Sequence, residues 1–239
     1  MAVTRYRDIA EQLVGEIAGL PAGTRIEGEY EIAARFGVGR AAARAALQEL
    51  ERRMLVRRVQ GLGTFTSRRI DYRISPAEAP SWSRMVRASG AVPRTVVRSC
   101  SVVPMPAEVA ALLKMPEGVP CHRLHRRSFT DDVPAAYGTE WVPVSVVPEL
   151  AQALRSFDSL DVILRGSTGA LPRRAWTRAS MAPIDPEVAA ELGSRTGDPA
   201  WLVESLNDDA GSGRLLCFTQ RWMRADAVRV LLETGPPPG

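Results

Sequence analysis

Apolar residues recur at three- and four-residue spacing from the start of the chain. Tyr6, Ile9, Ala10, Leu13, Val14 and Ile17 mark one face of an amphipathic helix over about residues 4–19. The run GLPAGT closes it. A shorter helix is predicted from Glu29 to Phe36, with Ile32, Ala33 and Phe36 inward and Gly37 where a helix end favours a left-handed residue. After the turn Gly37-Val38-Gly39, a third helix from Arg40 to Arg53 places Ala43, Ala46, Leu47 and Leu50 on one stripe. Its far side holds Ala41, Arg44, Ala45, Gln48 and Arg52, with Arg40 in the exposed first turn. The run LVRRVQGLGTFTS then reads as two short strands around Gly61-Leu62-Gly63, carrying Arg57 and Arg58.

Beyond a proline-containing stretch, SRRIDYRISPAEAPS, the pattern changes to strands and contains an internal repeat. Residues 101–120, SVVPMPAEVAALLKMPEGVP, align without gaps to residues 180–199, SMAPIDPEVAAELGSRTGDP, with nine identities in twenty positions. Each copy follows a strand-like run (TVVRSCSVV, RAWTRASMA) and precedes two more, joined by TDDVP in one half and NDDAGSG in the other. Two β-α-β-β halves pairing into one largely antiparallel sheet are implied, so the fold class is α+β. The expected division is a winged helix-turn-helix over residues 1–70, a connector over 71–81 and a second domain over 82–235. A pseudo-twofold seam between the halves suits a small ligand, because polar side chains of both copies converge there.

Charge separates the two parts. Residues 1–74 carry 13 Arg and 9 Asp+Glu, a balance of 13 − 9 = +4, while the rest carries 18 Lys+Arg against 18 Asp+Glu. A basic head joined to a neutral body points to a polyanion-binding module attached to a body with another task. No apolar run reaches membrane-spanning length, and charges interrupt the N-terminus, so a cytoplasmic protein without membrane contact is expected. Cys100, Cys121 and Cys217 are few, odd in number and widely spaced, which fits buried thiols in a reducing compartment.

The glycine pair before the third helix also raises a phosphate-loop reading. That loop needs a preceding strand and, in its Walker form, a Lys-Ser/Thr pair, whereas here a helix precedes and no lysine follows. A small-residue helix studded with arginines instead suits a DNA major groove, where arginine bonds guanine edges or clasps phosphates.

The run YRDIAEQLVGEIAGLPAGTRIEGEYEIAARFGVGRAAARAALQELERRMLVRRVQGLGTF resembles the DNA-binding domain of the GntR family of bacterial regulators, over residues 5–66 without a gap. The resemblance implies that Arg40 and Arg44 contact DNA from the recognition helix and that Gly61, Gly63 and Thr64 set the wing against it. Ala41, Gln48, Arg57 and Arg58 join them as candidate DNA-facing positions. Three departures stand out: Tyr30 replaces a DNA-contacting arginine of the family, Gly39 a helix-capping serine, and Glu27-Gly28 a Pro-Ser pair. Lost caps and an added carboxylate imply an atypical operator or a weaker complex. Arg68 and Arg69 are further candidate phosphate contacts, with a solubilising connector as the alternative.

The body, over roughly residues 82–233, resembles the UTRA ligand-binding domain, whose fold is shared with chorismate lyase. The whole chain resembles the HutC subfamily, and LVESLNDDAGSGRLLCFTQRWMRADAVRVLLE is similar to the C-terminal pattern of phosphonate-operon regulators. By that resemblance the effector site draws on Arg84, Arg126, Ser128, Ser159, Glu204, Cys217 and Trp222. Ser128 stands where the family carries a second arginine, and Cys217 where many members have glutamate. Arg126 suits an oxyanion, Ser159 opens a helix N-terminus, and Trp222 has core packing as its alternative.

His122 and His125 beside Cys121 suggest a metal, but three residues apart on a strand they face opposite ways, so no metal and no cofactor are expected. No G-x-S-x-G elbow is present and no catalytic residue is assigned. The expectation is a homodimeric transcriptional regulator, a repressor, binding a double-stranded DNA operator under control of a phosphonate, phosphate-ester or carboxylate effector. Two alternatives stand beside it: a DNA-binding dimer whose effector cleft has decayed, and an enzyme of the lyase fold.

Overall fold

In the computed structural model, which describes residues 2–59, 61–67, 69–75 and 81–234, the first apolar stripes become helices α1 (Ala2–Ile17), α2 (Glu29–Phe36) and α3 (Arg40–Arg52), with strand β1 (Arg25–Ile26) between the first two. Ile9, Leu13 and Ile17 of α1, Ile32 of α2 and Ala43, Leu47 and Leu50 of α3 form one buried cluster. Fully burying each large aliphatic contributes about 1.5–3 kcal/mol, which holds the three short helices together. Gly37 ends α2 in the left-handed region (φ 60, ψ 40), and the following Val38 N–H donates to the Ala33 carbonyl. That turn re-aims the chain into α3. Strands β2 (Val56–Val59) and β3 (Gly63–Thr66) pair antiparallel, and β1 joins the far edge of β3, giving the order β1-β3-β2.

The chain divides into two compact units, one of residues up to Arg69 with Ala225–Ala227, the other of Ile70–Arg224 and the segment from Val228 on. The second unit opens with β4 (Ile70–Ile74), inside the stretch expected to be a connector. Its alternation is the reason: Ile70 and Tyr72 are buried, while Arg73 is exposed. The neighbouring prolines and arginines masked that short alternation in the sequence. Residues 76–80 of the expected connector and Arg68 lie outside the described residues.

Helix α4 (Trp82–Ala88) leads into the repeat. Its first copy is β5 (Pro93–Pro104), α5 (Ala107–Leu113), β6 (Pro120–Thr130) and β7 (Val133–Pro143). Short α6 (Leu150–Ala153) and α7 (Leu160–Thr168) intervene. The second copy is β8 (Pro172–Pro183), α8 (Pro186–Leu192), β9 (Pro199–Asp209) and β10 (Leu215–Arg224), followed by β11 (Val228–Leu232), which pairs parallel with β4. The sheet order β5-β6-β7-β10-β9-β8 shows how the halves join: each copy contributes three antiparallel strands, and β7 pairs with β10 at the centre. The α+β class follows.

The copies differ where their helices begin and end. Asp185 caps α8 by accepting from the Val188 N–H at 2.8 Å, whereas Pro106 stands at the matching place in α5 and offers no such acceptor. Both helices stop on a left-handed residue, Gly193 (φ 60) in one and Lys114 (φ 53) in the other. Helices α5 and α8 cover one face of the sheet through Val109, Leu113, Val188 and Leu192. On the other face Leu150, Leu160, Ile163 and Leu164 of α6 and α7 pack against Leu124 and Val142, and beside them the face stays polar.

Candidate DNA-binding face and ligand cleft

On α3 the four small or apolar residues that anchor the helix are buried, and Ala41, Arg44, Gln48 and Arg52 are exposed, as the helical period requires. The Arg40 guanidinium lies 4.0 Å from the ring centroid of Tyr30, itself 67% exposed at the start of α2. Arg44 Nε donates to both oxygens of Glu29, at 3.1 and 3.2 Å. Arg58 of the wing reaches the same carboxylate from Nη1 at 3.2 Å and donates from Nη2 to the Arg44 carbonyl at 3.4 Å. One glutamate therefore ties the third helix to the wing. Such pairs at the surface, here with Arg44 about half exposed and Arg58 and Glu29 partly covered, contribute about 0–1 kcal/mol, so a phosphate or base edge can displace them.

Strand alternation sends Arg57 the other way, 5.7 Å over the Phe65 ring. Thr64, expected at the DNA, is turned inward and only 6% exposed, because β3 buries every second side chain. The wing tip is Gly61 (φ 75), Leu62 and Gly63 (φ 123), with Leu62 67% exposed. Gly39 precedes α3 with no side-chain cap, and Arg69 donates to the Met54 sulfur at 3.3 Å.

In the body, the uncovered polar part of the sheet forms an open cleft. Its floor is made by alternate residues of neighbouring strands: Arg126 and Ser128 of β6, Glu140 of β7, Cys217, Thr219 and Arg221 of β10, and Ser205 and Asn207 of β9. Ser81 and Trp82 at the start of α4, Ser159 and Asp161 at the start of α7, and Tyr72 of β4 complete the walls.

Glu140 is the electrostatic centre. Its Oε1 accepts from Arg126 Nη2 at 2.5 Å and from Arg221 Nη2 at 2.8 Å. Burial pushes its carboxyl up, but the two guanidiniums outweigh that and hold it below the usual glutamate range. Gly138, opposite Arg126 on β6 and Arg221 on β10, makes the convergence possible. A Cβ there would stand 2.4 Å from the Gln220 carbonyl oxygen. Arg126 Nη1 also donates to the Asp158 carbonyl at 2.6 Å. Tyr72 receives Arg174 Nη2 at 3.4 Å and hydrogen-bonds Arg221; both cations counter the effect of burial and lower its hydroxyl's pKa.

Two buried oxygens of cleft residues have no protein partner: Glu140 Oε2 and Asn207 Oδ1. An unsatisfied buried acceptor costs about 1–3 kcal/mol, so both represent recognition capacity held in reserve.

Of the side chains expected at the effector site, Arg126, Ser128, Ser159 and Cys217 line the cleft. Cys217 is buried beside Glu140, and its thiol is pushed up to about 12 by burial first and that carboxylate second. Arg84 lies beside the cleft wall, half exposed, with Nη2 3.8 Å from Asp161. Two others are misassigned. Glu204 and Trp222 lie on the opposite face: Glu204 accepts from Gln220 at 3.4 Å and pairs with Arg178, and Trp222 packs against the α8 cluster. The reason is the period of two, since Ser205 and Asn207 point into the cleft and Glu204 between them cannot. His122 and His125 also face apart, His122 bonding the Val147 carbonyl at 2.9 Å and His125 the Tyr137 hydroxyl at 3.3 Å.

Sequence reasoning missed Glu140, Asn207 and Arg221. The signal for Glu140 and Arg221 was present in the alternation GTEW and TQRW, but only the central β7–β10 pairing shows that they meet, and Asn207 joins them through the β9–β10 pairing. Among the described residues no group of three or more His, Cys, Asp or Glu is placed to hold a metal, and no helix is long and apolar enough to cross a membrane.

A recognition helix with a wing, followed by a repeated sheet with a polar cleft, defines a DNA-binding regulator of the ligand-responsive class. Comparison with known proteins agrees: residues 5–66 match the profile of the family described as bacterial regulatory proteins, gntR family, and residues 88–229 match the UTRA domain. The chain belongs to the gntR family of bacterial regulators that carry a UTRA ligand-binding domain. It is similar to the HTH-type transcriptional regulator Rv0792c of Mycobacterium tuberculosis, 29% identical over 100% of this chain and 90% of that protein. It is also similar to the HTH-type transcriptional repressor NagR of Bacillus subtilis, 25% identical over 83% and 82% of the two chains. Among solved structures, PhnF of Mycobacterium smegmatis superposes with a TM-score of 0.64 at 23% identity, covering 95% of this chain and 99% of that one.

Proposed function

We propose that this regulator is a homodimeric, cytoplasmic repressor of the HutC subfamily whose operator binding is released by a small oxyanion-bearing effector in the cleft. Arg40, Arg44 and Gln48 enter the major groove, Tyr30 holds the Arg40 guanidinium by its ring, and Arg58 follows the phosphates from the wing. The reading is carried by the shared Glu29 clasp, which leaves Arg44 and Arg58 on one accessible face and exchanges readily for DNA phosphates.

The cleft accepts a phosphonate, phosphate-ester or carboxylate group through Arg126 and the hydroxyls of Ser128 and Ser159. Tyr72, on the strand that follows directly from the head in sequence, contributes to the cleft wall, so ligand contacts bias the segment that carries the head. A non-enzymatic role fits the buried carboxylate, which is committed to two guanidiniums, and the Cys217 thiol, which burial keeps protonated. Gel-shift titration on DNA upstream of the protein's own gene tests the function. Wild-type protein is expected to shift it at low ionic strength, and Arg44→Ala to weaken the shift at least tenfold. An unaltered shift in the variant overturns the assignment of α3.

A further inference from the structure

We infer that the effector is built on a polyhydroxylated, carbohydrate-type body whose hydroxyls donate to Glu140 and Asn207. This deepens the proposed function and rests on the same cleft. Two buried acceptors of the cleft, Glu140 Oε2 and Asn207 Oδ1, lack protein partners. Glu140 is 2% exposed and Asn207 is 3% exposed, and both line the cleft. A ligand that matches them must bring hydrogen-bond donors.

The charges around Glu140 narrow the kind of donor. Arg126 and Arg221 already sit on its other oxygen, so the trio carries a net positive charge, and an ammonium donor would meet two guanidiniums. A bare phosphonate, phosphate or carboxylate ion suits the unpartnered Arg126 Nε but, offering chiefly acceptors at neutral pH, leaves Glu140 Oε2 and Asn207 Oδ1 unmatched. Neutral hydroxyls satisfy both constraints.

Spacing narrows the ligand further. Glu140 stands opposite Thr219, Thr219 opposite Ser205, and Asn207 two residues beyond Ser205 on the same strand. The two acceptors therefore belong to strands separated by about two inter-strand spacings, roughly 10 Å at the backbone. Reaching acceptors rooted on two different strands suits a ring or chain that carries several hydroxyls. The lining agrees: seven of the nineteen cleft residues are serine or threonine, side chains that both donate to and accept from a hydroxyl. Trp82 spends its indole N–H on the Phe129 carbonyl at 3.3 Å, leaving its ring to face the apolar side of such a body.

Isothermal titration of the full chain against four ligand groups tests this. The groups are neutral sugars and alditols (glucose, ribose, mannitol), sugar acids and sugar phosphates (gluconate, glucuronate, glucose 6-phosphate), bare ions (inorganic phosphate, methylphosphonate, acetate), and 2-aminoethylphosphonate. At least one hydroxylated compound is expected to bind 100-fold or more tightly than any bare ion or the aminophosphonate. Asn207→Leu is expected to weaken that binding at least tenfold with little change in the thermal midpoint of the ligand-free protein, since at similar volume it removes an unsatisfied acceptor and only one long bond, from Nδ2 to the Cys217 sulfur at 3.5 Å. Thr219→Val, a near-isostere one strand away, provides a second variant and is expected to weaken the same ligand.

Binding of methylphosphonate, phosphate or acetate with no response to any hydroxylated compound overturns the inference and leaves the proposed regulator intact. The same holds if both variants keep wild-type affinity. Neutral sugars binding as tightly as their acids would uphold the hydroxyl recognition and remove the oxyanion from the proposed function. A protein that binds the sugar but no DNA would refute the function alone.

Discussion

Replacing Glu140 with leucine removes the carboxylate that holds Arg126 and Arg221 together and leaves both guanidiniums beneath the cleft. Glu140 is 3% exposed in its side chain, Arg126 8% and Arg221 16%, so solvent compensates little. Breaking a buried ion pair by deleting one partner costs about 3–5 kcal/mol. Arg126 keeps the Asp158 carbonyl and Arg221 keeps Tyr72, which places the expected loss at the lower end, about 3 kcal/mol. In a domain of this size that lowers the thermal midpoint by roughly 6–12 °C. Urea unfolding followed by circular dichroism, with scanning calorimetry alongside, measures it.

Two controls sharpen the test. The double variant Glu140→Leu with Arg126→Met is expected to recover at least about 1 kcal/mol relative to Glu140→Leu, because one stranded charge is gone. Acidification supplies the other. Glu140 titrates below its ordinary value of 4.5, so its contribution is complete above that value and is lost as pH falls through the lowered one. The gap between wild type and Glu140→Leu therefore closes in acid. A loss below about 1 kcal/mol at pH 7, or a gap independent of pH, refutes the assignment of Glu140 as the charge centre.

Glu29→Gln frees Arg44, leaves Arg58 paired only with Glu51 and removes a repelling carboxylate; non-specific DNA affinity is expected to rise, and the log–log salt slope to steepen by about one unit, in fluorescence anisotropy. Gly138→Ala forces a Cβ to within 2.4 Å of the Gln220 oxygen and 3.0 Å of the Arg221 Cα, both backbone atoms, so β7 and β10 must separate. A loss of about 2 kcal/mol or more is expected in urea unfolding. Lys114→Gly relieves a left-handed lysine and is expected to stabilise by about 0.5–1 kcal/mol in the same assay. The Cys217 thiol, pushed up to about 12, is expected to resist iodoacetamide at pH 8 until the protein unfolds, as read by mass spectrometry of the alkylated peptide.

Much of this architecture was legible from residue pattern. The head's helices appear in its three- and four-residue spacing, and the doubled β-α-β-β unit appears in nine identities between two twenty-residue stretches. Arg126 and Ser159 were placed in the cleft by family resemblance, supported by a guanidinium suited to an oxyanion and a serine at a helix N-terminus. What the pattern did not carry is which strands lie side by side. Glu140 and Arg221 are 81 residues apart and meet only because β7 and β10 pair at the seam. Glu204 was assigned to the cleft from resemblance, against the alternation that places Ser205 and Asn207 there. The strand at Ile70–Ile74 was lost among charges and prolines because five residues give too little period to read.

The measurement that tests the whole account most directly is the affinity of the full chain for its selected operator DNA, with and without saturating effector, by fluorescence anisotropy across a salt series. Tight, salt-dependent binding is expected, weakened by the effector by a factor of about 5–150, which corresponds to a coupling of about 1–3 kcal/mol. Failure to bind any duplex DNA at low ionic strength, or binding that a cleft-saturating ligand leaves unchanged, would contradict it.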